Sequence, residues 1–333
     1  MKSQGNDPRF RVLIADEDLN FKKHVFDDPK VLGRQLIEAA GGHPVDEHVA
    51  IAMLPNGDFE DIRLDESYDL RDRGCEVIGV SRKSSTCDRA VELGIVDEAG
   101  CEFDRLATAE LVILCVPIGK LEPIARLVTP HLNADAILTD VGSVKGPIVA
   151  GIEPLWPKFV GGHPMAGTHE SGVDAAQRSL FVGRPYVITP TPNTDPGAIA
   201  TLEQLITLIQ AKRYQCDPQI HDQAVARISH GPVMVSAALV AMANAEGTAD
   251  ETAIATLAKQ LASSGFRDTS RVGGGNPELG LMMAQYNREA MLQCLQQYRD
   301  QLDGAIAAIQ TENWDVLNHW LEQTQAARPA FVD

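Results

Sequence analysis

The sequence predicts an α/β protein built on a parallel sheet, with a small α+β unit ahead of it and an all-helical block behind it. Three observations predict this. Between residues 75 and 192, short apolar runs alternate with amphipathic stretches, as buried parallel strands alternate with the helices that cover them. From 195 to 325, apolar residues recur almost entirely at helical spacing. Before 74, short alternating strands flank a single helical stretch. A chain of 333 residues is too long for one ordinary core, so two or three domains are the default.

The first unit spans residues 9–73. Arg11–Ala15 alternates as a strand, and Lys22–Phe26 is its hairpin partner. Val31–Ala40 is a helix closed by Gly41 and Gly42. His48–Leu54 and Phe59–Leu64 are strands joined by the turn Pro55-Asn56-Gly57. Strand, strand, helix, strand, strand is the order of a β-grasp fold. The opening Phe10-Arg11-Val12-Leu13, the helix Gly33–Gly41, and Leu64-Asp65-Glu66 leading to Asp69-Leu70-Arg71 together resemble the multiubiquitin-type, ubiquitin-like domains of prokaryotes.

The second unit, 74–192, takes its strands from Glu76–Ser81, Leu111–Pro117, Ala136–Asp140, Phe159–Gly162 and Tyr186–Pro190. Arg213–Cys216 is a further strand candidate, and Leu121–Leu132 is one of the intervening helices. The third unit, 193–333, places helices at Asp222–Ala245, Glu251–Ser263, Pro277–Gln310 and Asn313–Thr324. Such a block packs as a bundle and favours a homodimer.

Composition narrows the partners. The apolar fraction is 44%, that of a globular protein, and the net charge is −17 with a pI near 4.9. An acidic surface argues against nucleic acid and anionic membrane. No uncharged apolar run is read as long enough to span a bilayer, and no signal peptide precedes Phe10. The six cysteines form no CxxC pair, as expected in a reducing, cytoplasmic compartment.

Chemistry concentrates just past the Phe159–Gly162 strand, in Gly161-Gly162-His163-Pro164-Met165-Ala166-Gly167. Sites in α/β enzymes lie at the carboxyl ends of strands. Paired glycines admit a close backbone approach, and the proline stiffens the turn that presents His163. Before this motif stands Asp140-Val141-Gly142-Ser143-Val144-Lys145, and after it Leu180–Pro190. Ile228-Ser229-His230-Gly231-Pro232 and Ser264–Pro277 follow. In this order they resemble the arogenate/prephenate dehydrogenase family, closest to its NADP-using, arogenate-type members, from about Asp69 to the carboxy terminus.

The resemblance implies a Rossmann-like sheet, a helical dimerisation domain, and a substrate that is a cyclohexadienol with a hydroxyl at C4 and a carboxylate on C1. It makes His163 the catalytic base. A histidine suits that task because its ordinary pKa lies near working pH. Ser143 matches a hydroxyl that bonds near the reacting centre; its alternative is a helix cap before Val144. Arg271 matches the cation that grips the substrate carboxylate through two parallel hydrogen bonds. Arg267 is a second candidate, with a surface role as its alternative. His230 is read equally as a substrate contact or a supporting core residue, and His221 is given no role. The second Rossmann strand ends in Ser81-Arg82-Lys83-Ser84-Ser85-Thr86, two cations and several hydroxyls without a carboxylate. Ser81, Arg82 and Thr86 therefore favour the 2′-phosphate of NADP. Cys115 and Pro117 close the next strand beside the cofactor.

The family begins with a strand, a G-x-G-x-x-G loop and a helix, and none of the loop's glycine pattern stands upstream of Asp69 here. The first strand is central in the usual order, so its loss leaves neighbouring strands unpaired. One rescue is that His48–Leu54 serves as that strand, with the acidic loop Pro55–Asp61 after it. Three functions therefore compete: an active dehydrogenase, an impaired dehydrogenase-like dimer whose ubiquitin-like domain binds a protein partner, and a ubiquitin-like modifier fused to a carrier.

Overall fold

In the computed structural model, residues 76–167, 172–245 and 247–332 are described in full, together with the course of four upstream strands. These are β1 (Phe10–Ala15), β2 (Phe21–Phe26), β3 (Ala50–Met53) and β4 (Phe59–Ile62). β1 pairs antiparallel with β2, from Phe10 opposite Phe26 to Ala15 opposite Phe21. β3 pairs antiparallel with β4, and neither strand joins another sheet. Both hairpins fall where the alternation predicts them. The expected helix Val31–Ala40 lies outside the described residues. Among the described residues the bonded partner of β3 is β4, on one of its two edges, and no bond joins His48–Leu54 to the parallel sheet.

Two further pieces of sheet follow. The smaller pairs β5 (Ile78–Val80) with β6 (Glu98–Gly100), Ile78 opposite Glu98. Helix α1 (Ser84–Glu92) connects them and buries Cys87 and Ala90. Strand β6 has no counterpart in the sequence reading, because Glu98-Ala99-Gly100 carries neither alternation nor β-branched residues.

The larger piece has five strands, in the order β11 (Lys212–Gln215), β10 (Pro185–Thr189), β9 (Phe159–Pro164), β8 (Ile137–Asp140) and β7 (Leu111–Leu114). β7, β8 and β9 run parallel. Every residue of β8 and β9 is buried. Helices α2 (Ile118–Val128) and α3 (Gly146–Ile152) contribute Leu121, Ala125, Val128, Ile148, Val149 and Ile152 to this core. Each of the Leu, Val and Ile side chains stabilises the fold by about 1.5–3 kcal/mol on full burial. The sheet takes its last strand from β11, beyond α4 (Pro196–Leu208), so the α/β architecture runs past residue 193.

At its other end the five-stranded sheet stops at β7, with no described strand on the outer edge. Val112 and Leu114 are buried, whereas Ile113 and Cys115 are exposed. Alternate residues face opposite sides of a sheet, so one face of β7 is bare at these positions. The usual strand order, 3-2-1-4-5, puts the first strand between the strands that correspond here to β5 and β7.

The helices after Asp217 form the rest. Helix α5 (Pro218–Val225) is capped by Asp217, whose carboxylate accepts from the N–H of Gln219 at 2.8 Å. It passes through a π-helical turn, Ala226–His230, into α6 (Gly231–Ala243). α7 (Ala249–Leu261) opens with a Thr248–Glu251 capping box. Next come α8 (Ser264–Ser270), α9 (Pro277–Tyr286), α10 (Arg288–Gln310), α11 (Trp314–Ala327) and α12 (Pro329–Val332). The single helix predicted over Pro277–Gln310 is two, because Asn287 leaves the helical conformation and turns its side chain into the protein. Pro218–Ala243 is long and apolar enough to cross a membrane by length and composition, though it holds the charged Asp222 and Arg227 and so is not an uncharged run. It carries Asp222, His221 and His230, all buried among protein groups, which is the arrangement of a helix packed within a protein.

Candidate active site

The site is assembled around the carboxyl ends of β8 and β9. Gly161 lies in β9 because nothing larger fits: an added Cβ would stand 2.5 Å from Thr189 Oγ1 and 2.7 Å from Val149 Cγ2. Asp140 ends β8. Its carboxylate accepts from the N–H of Gly162 at 3.2 Å and of Gly142 at 2.8 Å, and it pairs with the ammonium of Lys145. Lys145 donates to the carbonyl of Gly162 at 2.7 Å. Both sides of Gly162 are thereby held, one residue before His163. Asp140 and Lys145 are fully buried. Burial pushes the Lys145 pKa down, against the neighbouring Asp140 that favours its charge. A buried pair of this kind contributes little net stability but would cost about 3–5 kcal/mol to break on one side.

Asp222, on α5, supports the same turn from below. Its oxygens accept from the N–H of Lys145 and of Gly146, both at 2.7 Å. These are the open donors at the start of α3, so Asp222 caps that helix from a distant part of the chain. The cap therefore does not come from Ser143. Ser143 is half-buried, and α3 begins after it without a side-chain cap of its own.

His163 is 8% exposed. Its Nδ1 lies 2.8 Å from Nε2 of His221, and the two rings meet edge to face at 71°. The Nδ1 of His221 lies 2.8 Å from Oδ1 of Asp222. Burial, followed by the proximity of His221, Lys145 and His230, pushes the His163 pKa down to about 2. The ring is therefore neutral at working pH, and the same burial makes it a weaker proton acceptor than an ordinary histidine. His230 is fully buried, and burial pushes its pKa down to about 4. Its Nδ1 lies 3.1 Å from Asn287 Nδ2, and its Nε2 has no partner among the described residues.

The remaining sequence candidates divide. Arg271 is exposed and opens the short turn Arg271–Gly274 after α8. That turn is pinned to α6: Ser236 donates to the carbonyl of Thr269 and accepts from the N–H of Gly273, both at 2.9 Å. A Cβ on Gly273 would meet Ala237 N at 2.5 Å, so the close approach requires glycine. Arg267 is 78% exposed along its side chain and points to its neighbour Asp268 at 3.7 Å, the geometry of a surface cation. Ser81 and Thr86 are half-exposed and Arg82 is exposed, around the uncapped start of α1. Cys115 and Pro117 are exposed between β7 and α2.

Sequence reading missed His221, Asp222, Asp140, Lys145 and Asn287 as members of the cluster. The signal for some of them was present: His221, Asp222 and His230 are polar residues in an otherwise apolar helical stretch, where buried polar groups need partners.

An open parallel sheet with a polar cluster beyond its strand ends, joined to a helical domain, is the build of a nucleotide-dependent dehydrogenase. Comparison with known proteins narrows the class. The family model "Prephenate dehydrogenase, nucleotide-binding domain" matches residues 67–215, and "Prephenate dehydrogenase, dimerization domain" matches 217–323. The crystal structure of Synechocystis arogenate dehydrogenase is 51% identical with a TM-score of 0.73, over 79% of this chain and 94% of that one. That of Aquifex aeolicus prephenate dehydrogenase, with hydroxyphenyl propionate and NAD+, is 27% identical with a TM-score of 0.72, over 78% and 91%. The cyclohexadienyl dehydrogenase of Zymomonas mobilis is 30% identical over 73% of this chain and 83% of its own. The chain belongs to the prephenate dehydrogenase family. A Multiubiquitin model also matches residues 16–80, overlapping the dehydrogenase match at 67–80.

Proposed function

We propose that this chain oxidatively decarboxylates arogenate, or prephenate, with NADP+, in the synthesis of tyrosine or its keto acid. The observation that carries the reading is His163: a buried, neutral imidazole whose Nδ1 is held by His221, at the end of a strand wholly inside the core. The resemblance to an arogenate dehydrogenase at 51% identity supports the choice of substrate class.

When bound, NADP+ supplies the acceptor for a hydride. Ser81, Arg82 and Thr86 would hold its adenosine end, since they offer hydroxyls, a cation and the uncapped start of α1 without a carboxylate. Cys115 and Pro117 would line its nicotinamide end. His163 takes the C4 hydroxyl proton at Nε2 as the C4 hydrogen departs with its electron pair. The bond from C1 to the carboxylate then breaks, releasing carbon dioxide, and its electrons complete the aromatic ring. Ser143 hydrogen-bonds the reacting oxygen, Arg271 grips a substrate carboxylate, and His230 donates to a substrate oxygen. Arg267 is assigned to the surface.

The segment that should cradle the pyrophosphate has no glycine pattern here, so NADP binding is expected to be weak. Two lost charge-assisted hydrogen bonds, at about 1.5–3 kcal/mol each, correspond to roughly a hundredfold or more in affinity. Exposed Leu302, Ile306, Ile309, Trp314 and Leu321 on the last helices support a homodimer through the dimerisation domain. The multiubiquitin-type segment is assigned to binding a protein partner, and the scattered cysteines support a cytoplasmic setting.

The test is turnover of the full chain with each substrate and each cofactor, beside calorimetric titration with NADP. Carbon dioxide release coupled to NADP+ reduction is expected. Absence of turnover with either substrate at saturating cofactor would overturn the reading. Low-micromolar NADP affinity would show that another segment rebuilds the phosphate site. Light scattering is expected to give the mass of a dimer.

A further inference from the structure

Neutral histidines carry one ring proton, and which nitrogen holds it decides whether the other gives or takes a hydrogen bond. In this site the assignment follows from groups that have no choice. A backbone carbonyl only accepts. Asn287 Nδ2, 2.8 Å from the carbonyl of Asp222, is therefore a donor, and the orientation of the amide is settled. Its second hydrogen faces His230 Nδ1 at 3.1 Å, so that nitrogen is the lone pair and the proton of His230 sits on Nε2. This is the fully buried nitrogen without a partner among the described residues. Buried donors are rarely left unmet, and this one faces the need for an acceptor oxygen.

The second chain starts from the side chain of the same residue. Both oxygens of Asp222 already accept from backbone N–H groups, those of Lys145 and Gly146. Its Oδ1 must then accept from His221 Nδ1 as well, at 2.8 Å. In a neutral His221 that leaves Nε2 as a lone pair, so the group 2.8 Å away, His163 Nδ1, carries the proton between them. His163 Nε2 is the free lone pair. In water the neutral ring prefers the opposite form, with the proton on Nε2, so the arrangement is imposed.

We propose that Asp222 sets opposite tautomers on the two site histidines: its carboxylate, through His221, makes His163 a proton acceptor at Nε2, and its backbone carbonyl, through Asn287, makes His230 a hydrogen-bond donor at Nε2. The proposal rests on the reading of His163 as the base. His221, Asp222 and Asn287 are positioning residues within it. When His163 takes a proton, its Nδ1–H continues to donate to His221, while burial and the neighbouring His221, Lys145 and His230 oppose the new charge. A base and a donor side by side suit a substrate whose reacting oxygen loses a proton while another oxygen is held.

The experiment is nitrogen NMR of the full chain labelled with ¹⁵N-histidine near neutral pH, where protonated and unprotonated ring nitrogens are resolved. His163→Asn and His230→Asn supply the assignments. The parent is expected to show Nδ1–H on His163 and Nε2–H on His230. His221→Leu should release His163 to the Nε2–H form and lower kcat about 10- to 100-fold, the usual effect of losing an outer orienting partner. His221→Gln, whose amide can donate to Asp222 and accept from His163, should restore the Nδ1–H form and most of kcat, whereas a merely structural role would give no such split. Asn287→Asp should move the proton of His230 to Nδ1 and raise KM. A parent spectrum with Nε2–H on His163 or Nδ1–H on His230 would overturn the proposal, as would an unchanged His163 in His221→Leu. The parent spectrum needs no variant to fold and no turnover. A chain with these tautomers but no activity would lose the functional reading and keep this one.

Discussion

Two regions of this molecule are finished to different degrees. Around His163 every buried polar group but Thr139 Oγ1 and His230 Nε2 has a partner among the described residues, and the members come from four separate stretches of sequence. Around Ser81–Thr86 the strands β5 and β6 are three residues each, mostly half-buried, and pair only with one another among the described residues. The difference teaches that proton-handling and dinucleotide-holding machinery are built separately. A buried acid–base cluster needs only side chains that converge on one strand end. A pyrophosphate cradle needs a particular strand, a glycine loop and the amino end of a helix, in one continuous segment.

That contrast can be broken or sharpened by experiment. The largest effect is expected at the finished end: His163→Asn should lower turnover about 10²–10⁴-fold with little change in melting temperature, measured at saturating cofactor. Turnover within a few-fold of the parent would remove His163 from the chemistry. Next comes the unfinished end. Replacing residues 1–66 with a relative's strand, glycine loop and helix should raise NADP affinity by about a hundredfold, read by calorimetry. An unchanged affinity would mean that the two ends are equally complete.

Arg271→Ala should raise KM about 10- to 100-fold, the loss of one charge-assisted pair, and leave NADP affinity alone. Parallel losses of substrate and cofactor binding would point instead to the turn that Ser236 and Gly273 pin against α6. The smallest effect concerns pH. His163 and His230 are held to about 2 and about 4 in the folded chain, below their ordinary value of 6.5, so protons bind the unfolded chain more readily. Their contribution to stability is complete above about pH 6.5 and is lost as pH falls towards those values. Each histidine accounts for about 1.4 kcal/mol per pH unit in that window. Melting temperature should therefore fall between pH 7 and pH 5, and His163→Asn should flatten the fall.

Much of the architecture was legible in order of residues. The runs Leu111–Leu114, Ile137–Asp140 and Phe159–Gly162 read as buried strands because continuous apolar stretches of that length suit a sheet covered on both faces. His163 stood out by its glycines, its proline and its place after a strand. Strand β6 did not, because Glu98-Ala99-Gly100 forms a strand through pairing with β5 and has little strand preference of its own. Asn287 did not, because the apolar spacing of Pro277–Gln310 continues through it and only a distant carbonyl and imidazole explain the break.

The sequence by itself determined the order of units and the family, since these depend on local pattern and on motifs in register. Residues 1–68 carry no G-x-G-x-x-G pattern. Only the tertiary structure decided that Asp222 rather than Ser143 caps α3, and that His221 stands behind His163. Residues 58 positions apart for His163 and His221, and 76 for Gly146 and Asp222, meet through packing of helices on a sheet. Hydrogen bonding at that separation leaves no periodic trace in the chain, because its geometry is set by where whole elements come to rest.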